Sequence, residues 1–380
     1  MQIEQTYHTA AGGWRDEGSR LASADLVLAF GHREGLADPR CFDELRARYP
    51  RARLVLGSTS GEILDAEVSD DRLTVTAVRF ERTRVRAASV AVSGAAESYA
   101  AGRALARRLT GDDLVYVFVL SDGRRVNGSA LAQGFNDHLP EGTLVTGGLA
   151  GDGMAFERTL VGLDAAPTEG QVVAVGFYGA SLRVGFGSSG GWAPFGPVRR
   201  VTRAEDNVLF ELDGQPALAL YRRYLGDLAA GLPGAALRFP LCVWTGAGTQ
   251  ARTVVRTITG LDEDGQRMIF AGDVPAGARA RFMRASYEDL VDGAAGAAGQ
   301  GLAGLPGAAP DLAICVSCWG RRLVLGQRVE EEIEAVREVL GPRPALTGFY
   351  SYGELAPPEA ARRCELHNQT MTITLLREEV

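Results

Sequence analysis

The chain has 380 residues, which allows two or three domains. It is 46% hydrophobic and 23% charged, with a formal net charge of −7, which excludes a mainly disordered or fibrous protein and makes nucleic acid a poor partner. All 40 of its Lys and Arg residues are arginine. Schiff-base chemistry, a lysine base and a Gly-Lys-Ser/Thr phosphate loop are therefore ruled out, and the cations are left to bind, steer or stack.

Residues 1–24 read as an N-terminal extension. Their polar opening, with Trp14-Arg15-Asp16-Glu17, predicts no leader peptide. His8 falls in what reads as a loose terminus. From residue 25 one pattern recurs three times. Asp25 to Phe30 is an apolar strand, ended by His32 where sites in α/β folds often form. A helix follows, with Pro39 near its start and Phe42, Leu45 and Tyr49 at helical spacing. Then come Leu54 to Gly57, the turn Ser58-Thr-Ser-Gly61-Glu62, and an alternating strand around Leu73, Val75 and Ala77.

After a helix over 97–109, the second copy runs from the strand Leu114–Leu120 through a helix with Leu131, Phe135 and Leu139. Its turn is Gly147 to Gly153 with Asp152, and its closing strand is Val172–Phe177. Residues 185–197 read as a Gly-rich loop that closes over something, with Trp192 and Phe195 at its tip. Pro216 starts a helix, and the domain boundary is placed there, giving domains 25–217 and 218–380. Residues 252–284 read as a β meander, and 292–309 as a loose helix and loop. The third copy opens with Leu312–Val316. Its helix carries Val329, Ile333, Val336 and Leu340, with Glu330, Glu331 and Glu332 at the positive end. Its turn is Leu346 to Glu354, and its closing strand is Met371–Leu376. Strands alternating with helices predict an α/β fold, with repeated strand-helix-strand-strand units forming mixed sheets covered by helices. No apolar run is long enough to span a membrane, and five widely spaced cysteines form no disulfide framework, which predicts a reduced, cytoplasmic protein.

Several motifs fail their context. Gly185-Phe-Gly-Ser-Ser-Gly190 and the G-x-S-x-G within it precede Pro194 and Pro197 rather than a helix, so neither a dinucleotide loop nor a nucleophile elbow is expected. Cys315 and Cys318 lie in a strand pattern that points them to opposite faces, as buried structural residues. His32-Arg-Glu34 lacks the Pro-Cys-x-x-Cys partner of a zinc deaminase. His138 reads as a boundary residue of its helix.

Two features remain. Glu62, Asp152 and Glu354 each follow a glycine, which permits close backbone approach, so they can receive a ligand ammonium or guanidinium. The other reading is an internal salt bridge or turn cap. Tyr350, Tyr352 and Trp192 are candidates to line a pocket beside them, or are core. His367, before the last strand, is a candidate metal or haem ligand, or hydrogen-bonds the turn. With no coherent catalytic set, a binding module is expected rather than an enzyme.

Two stretches resemble a known family. One is Thr146 to Gly153, followed by the Trp192 region and Val201-Thr202 to Leu218. The other is Leu346-Thr-Gly-Phe-Tyr-Ser-Tyr-Gly-Glu354 with Cys364-Glu-Leu-His-Asn-Gln-Thr-Met-Thr372. Over residues 25–378 the chain resembles the FIST family of sensory proteins, with its N-terminal and C-terminal domains. The resemblance implies a non-catalytic small-ligand sensor that signals to a separate protein. The stand-alone arrangement is similar to the branch that binds haem, senses nitric oxide and regulates a sensor histidine kinase, and it leaves a homodimer open. That branch would need an axial ligand, for which His367 is the first choice and His32 the second. The alternative is a haem-free receptor for a small metabolite such as an amino acid.

Overall fold

The computed structural model describes residues 1–16, 21–245, 252–307, 309–358 and 363–379. The three expected units are present, each built on its own six-stranded mixed sheet. In each, the opening strand pairs in parallel with the strand after the helix: Leu26–Gly31 with Arg53–Ser58, Leu114–Ser121 with Leu144–Leu149, and Leu312–Cys318 with Ala345–Ser351. The closing strand returns antiparallel on the other side.

Period-2 alternation sorts the side chains between two cores. Leu26, Leu28 and Phe30, Tyr116, Phe118 and Leu120, and Leu312, Ile314 and Val316 meet in one central core between the sheets. The alternate residues face outward under helices. Val27 and Ala29 meet Leu45 and Tyr49 of the first helix. Val117 and Val119 meet Leu131 and Phe135. Ala313 and Cys315 meet Ile333 and Val336. The three sheets thus form the walls of a prism with helices outside.

The units also trade strands. Glu62–Leu64 leaves the first unit and pairs with Ala345–Ser351 of the third. Gly353–Ala356 leaves the third and pairs with Leu144–Leu149 of the second. Val161–Leu163 leaves the second and pairs with Arg53–Ser58 of the first. Each sheet therefore has an edge supplied by another unit. Within the second and third units glycine permits the close parallel pairing: a Cβ on Gly348 would sit 1.8 Å from the Cys315 carbonyl oxygen, and one on Gly147 1.9 Å from that of Val119.

A second body is inserted between the strands of the third sheet. Residues 193–284 form an eight-stranded antiparallel sheet with the helix Ala217–Leu225 on a core of its own. The preceding strand, Leu182–Ser189, belongs to the third sheet of the prism, against Met371–Glu378.

Three local expectations change. The supposed loop 185–197 is two strands, Leu182–Ser189 and Ala193–Glu205, joined by a short turn. Its glycines are there for packing. A Cβ on Gly185 or Gly187 would lie 2.2 or 2.1 Å from the carbonyl oxygens of Gly301 or Ala297 in the helix laid across them. That helix, Tyr287–Ala303, begins before the Gly/Ala tract because Ser286 and Asp289 form a capping box. The terminus around His8 is ordered, since Gln2–Thr9 pairs along its length with Arg72–Arg79.

Phe349 is buried at the centre of the prism, its ring centroid 4.7 Å from that of Phe30. Phe349→Ala should cost about 3–5 kcal/mol in urea unfolding by opening a cavity shared by all three walls. A loss below about 1 kcal/mol would mean this core is not tightly packed.

Candidate functional site

The parallel strand pairs end together, and their turns meet at one end of the prism, where sites form in sheets of this kind. Ser60 N donates to Tyr350 O at 2.9 Å, and Tyr350 N to Gly61 O at 2.8 Å. Gly151 N donates to Ser58 O at 3.0 Å, and Tyr352 N to Leu149 O at 3.0 Å. Ser60 Oγ accepts from Gly153 N at 3.1 Å. The three glycine turns are thus one contiguous hydrogen-bonded surface.

Asp152 sits at the junction. Its carboxylate accepts from the Tyr352 hydroxyl, from Arg33 Nη1 at 3.0 Å, and from the backbone of Glu157 and Arg158 at 2.9 and 2.8 Å. Burial alone would raise its pKa, but the Tyr352 hydroxyl, these N–H groups and Arg33 together hold it below the usual range. Residues from all three units meet here: Arg33 and Ser60 from the first, Asp152 from the second, Tyr352 from the third. Tyr352 also stacks on Phe156, with centroids 4.5 Å apart and planes 9° from parallel. Phe156 and Met154 lie on the loop after Asp152 and are exposed, at 43% and 70%.

Glu62 and Glu354 do different work. Both are buried and close the strands they begin. Glu62 accepts from Thr59 Oγ1 at 2.6 Å and from Ser69 Oγ at 3.4 Å. Glu354 accepts from Ser351 Oγ at 2.7 Å and from Thr370 Oγ1 at 2.9 Å. Burial pushes each carboxyl up to about 8, because their partners are hydroxyls rather than cations. Arg322, beside Glu62, is instead paired with Asp70 at 2.7 Å, and its guanidinium lies 5.3 Å from the centroid of the Tyr350 ring.

The other candidates lie apart from Asp152. Tyr350 is enclosed, and its hydroxyl donates to Glu332 at 2.7 Å. Trp192 donates from Nε1 to Gln369 O at 2.7 Å and packs near Leu290. His367 is buried on the strand opposite Glu354, with Nε2 3.0 Å from Ala356 O. His32 is half-exposed next to Arg33, with Nδ1 2.7 Å from Glu34 Oε2. Among the described residues no group of three His, Cys, Asp or Glu is placed to hold a metal ion.

Sequence reading missed Arg33, the hydroxyls Thr59, Ser351 and Thr370, and the enclosed pair Arg321–Glu332. In that pair Nη2 lies 2.7 Å from Oε2. The hydroxyls were visible as Ser/Thr flanking each turn. Glu332 reads from sequence only as one of three acids at the positive end of its helix, although it adjoins Ile333 on the buried stripe.

The joined turns thus bring paired charges, hydroxyls and an aromatic cover together at one end of the prism. The FIST N domain matches residues 25–215 and the FIST C domain residues 217–357, and the chain belongs to the FIST family. FIST domains are generally sensory, ligand-binding domains of signal transduction. No curated protein matches the chain. Among solved structures it is similar to a cyanuric acid hydrolase from A. caulinodans at 11% identity, over 78% of this chain and 99% of that one, with a TM-score of 0.18, which bears on neither fold nor chemistry here.

Glu354 is ordinarily ionised above about 4.5 and in the fold only above about 8. The folded state therefore binds this proton more tightly, and the stability it contributes is lost as pH rises from about 4.5 to about 8, by up to ~1.4 kcal/mol per pH unit. Glu354→Gln should flatten that part of the stability–pH curve in urea titrations. An unchanged slope would mean the carboxyl is not held neutral.

Proposed function

We propose that this chain is a sensory receptor for a small polar ligand, received at the junction of Arg33, Asp152 and Tyr352. The supporting observation is that Asp152 bonds to side chains from both other units. A ligand that displaces one of these bonds alters the contact between units, and so shifts the population of two arrangements. The exposed Met154 and Phe156 form the cover that closes on it. Asp152 would receive a ligand cation and Arg33 an anion, the pattern an amino acid satisfies.

A second reading, a haem-based nitric oxide sensor acting on a separate histidine kinase, has one observation in its favour. His32 is half-exposed, and its Nδ1 is held by Glu34, which leaves Nε2 outward in the carboxylate-oriented manner of metal-ligating histidines. His367 fits less well, because its Nε2 is bonded to Ala356 O in an enclosed strand pair. Haem, when bound, supplies a gas-binding iron. His32 would hold it, and Glu34 would orient the ring.

Thermal unfolding with each of the twenty amino acids at millimolar concentration tests the first reading. One of them should stabilise the protein by about 2.7 kcal/mol at a hundredfold excess over its Kd, and Asp152→Asn should abolish the shift. No shift, or one unaffected by Asp152→Asn, would refute it. Haem titration tests the second. A Soret band that saturates at one haem per chain, moves with nitric oxide and is lost in His32→Ala but kept in His367→Ala is expected. Unsaturable binding would refute that reading.

A further inference from the structure

A charged surface lies on the inserted sheet, away from the turns. Its strands Arg252–Arg256, Leu241–Thr245, Arg279–Arg284 and Ala193–Glu205 run side by side in that order. One face of them is core, where Val254, Val243, Ala280 and Val201 are buried with the helix Ala217–Leu225. The alternate residues form the other face. There direct pairing sets Thr253, Trp244, Arg279 and Arg200 in one row across the strands. Arg281, two residues beyond Arg279, shares that face. Thr253, Arg279 and Arg200 are exposed, and Trp244 and Arg281 half-buried, so the row faces solvent.

The row is cationic. The guanidinium groups of Arg279 and Arg281 lie 5.5 and 5.9 Å from the Trp244 ring centroid. Among the described residues none of Arg200, Arg279 and Arg281 is in an ion pair, and the enclosed Nε of Arg281 has no hydrogen-bond partner. Asp213, beside Arg200, is already held by Arg199 Nη1 and by the Arg200 backbone N–H, each at 2.8 Å. Like charges directly opposite on neighbouring strands, as Arg200 and Arg279 are, repel. Trp and Arg are also the residues that most often carry the binding energy of protein interfaces.

The prism carries the complement. On the helix Val329–Leu340, Glu330, Glu334 and Glu338 are exposed at i, i+4 and i+8, one above the other. Among the described residues none of the three is in an ion pair, whereas Glu331 and Glu332 are taken by Arg328 and Arg321. Eight residues of helix span about 12 Å, and the two strand spacings from Trp244 to Arg200 span about 10 Å. Carboxylates and guanidinium groups therefore match in number, sign and reach, and a helix laid on an open sheet face is a common layer packing.

We propose that the arginine face docks a second copy of this chain, receiving the stripe Glu330, Glu334 and Glu338 of that copy. Each copy carries both surfaces, so a two-fold pair makes the contact twice.

The test is sedimentation equilibrium of the full chain. A dimer is expected whose Kd rises about tenfold or more between about 50 and about 500 mM sodium chloride, because exposed charges are screened. R200E/R279E/R281E alone and E330R/E334R/E338R alone should be monomeric, since each sets like charges against each other at both contacts. An equimolar mixture of the two should associate, because together they restore opposite charge at both. A wild-type chain that is monomeric at both salts, a dimer that survives either reversal, or a mixture that stays apart overturns the proposal. If a triple variant loses its circular dichroism spectrum, R279E and E334R replace it, and wild-type affinity in both overturns it. None of these substitutions touches Arg33, Asp152 or Tyr352, so failure here is distinguishable from failure of the sensory reading.

Discussion

Ser60 N donates to Tyr350 O, and Tyr350 N donates back to Gly61 O. This reciprocal pair joins the first unit to the third across a sequence gap that no local signal spans. Its counterparts, Gly151 N to Ser58 O and Tyr352 N to Leu149 O, join the second unit to the first and the third to the second. Each sheet is left with an edge that only another unit fills, and an unpaired strand edge is a liability. The units therefore have reason to fold together. The exchange also fixes where the turns go, because a strand that crosses to the next wall must leave at the end where the walls meet. The clustering of the turns follows from the topology, and the site follows from the clustering.

Charge is handled differently at each crossing. Glu62 and Glu354 lock their strands with hydroxyl partners and remain neutral. Asp152 keeps its charge because Arg33, Tyr352 and two backbone N–H groups surround it. Deeper in, Glu332 keeps company with Arg321, Ser317 and Tyr350, each bonded to its carboxylate. A buried pair of this kind contributes little net stability, but losing one partner is expensive, so it fixes the position of the helices it ties. The carboxylate at the junction is the one reachable from the exposed loop of Met154 and Phe156, and the two neutral ones serve as fasteners.

The repeat was legible because every unit states the same periodicities: an apolar strand, a helix stripe such as Leu131 and Phe135, and a glycine turn. Burial on both faces could be read from the continuous apolar run of Leu26 to Phe30. The strand exchange was not legible, because the partner of Glu62–Leu64 lies at Ala345–Ser351 and pairing register is written in no local pattern. The Gly185 region misled for a physical reason. Glycine signals a loop when alone, but here it is the complement of Ala297 and Gly301 on a helix far along the chain. The turn carboxylates were visible as residues after glycine. Their division into one charged junction and two neutral closures depends on neighbours such as Arg33 and Thr370, which sequence proximity does not reveal. His367 and Trp192 were picked out for their chemistry, and their side chains contact the backbone of Ala356 and Gln369.

Native-state hydrogen exchange tests most directly whether the exchanged strands make the prism one body. The amides of Ile63, Gly151, Tyr350 and Leu355 should open with one common free energy, equal to that of global unfolding, and converge as denaturant is added. If the amides of one crossing strand exchange at a much lower free energy while the other two stay protected, the units are independent and the account of the site fails with it.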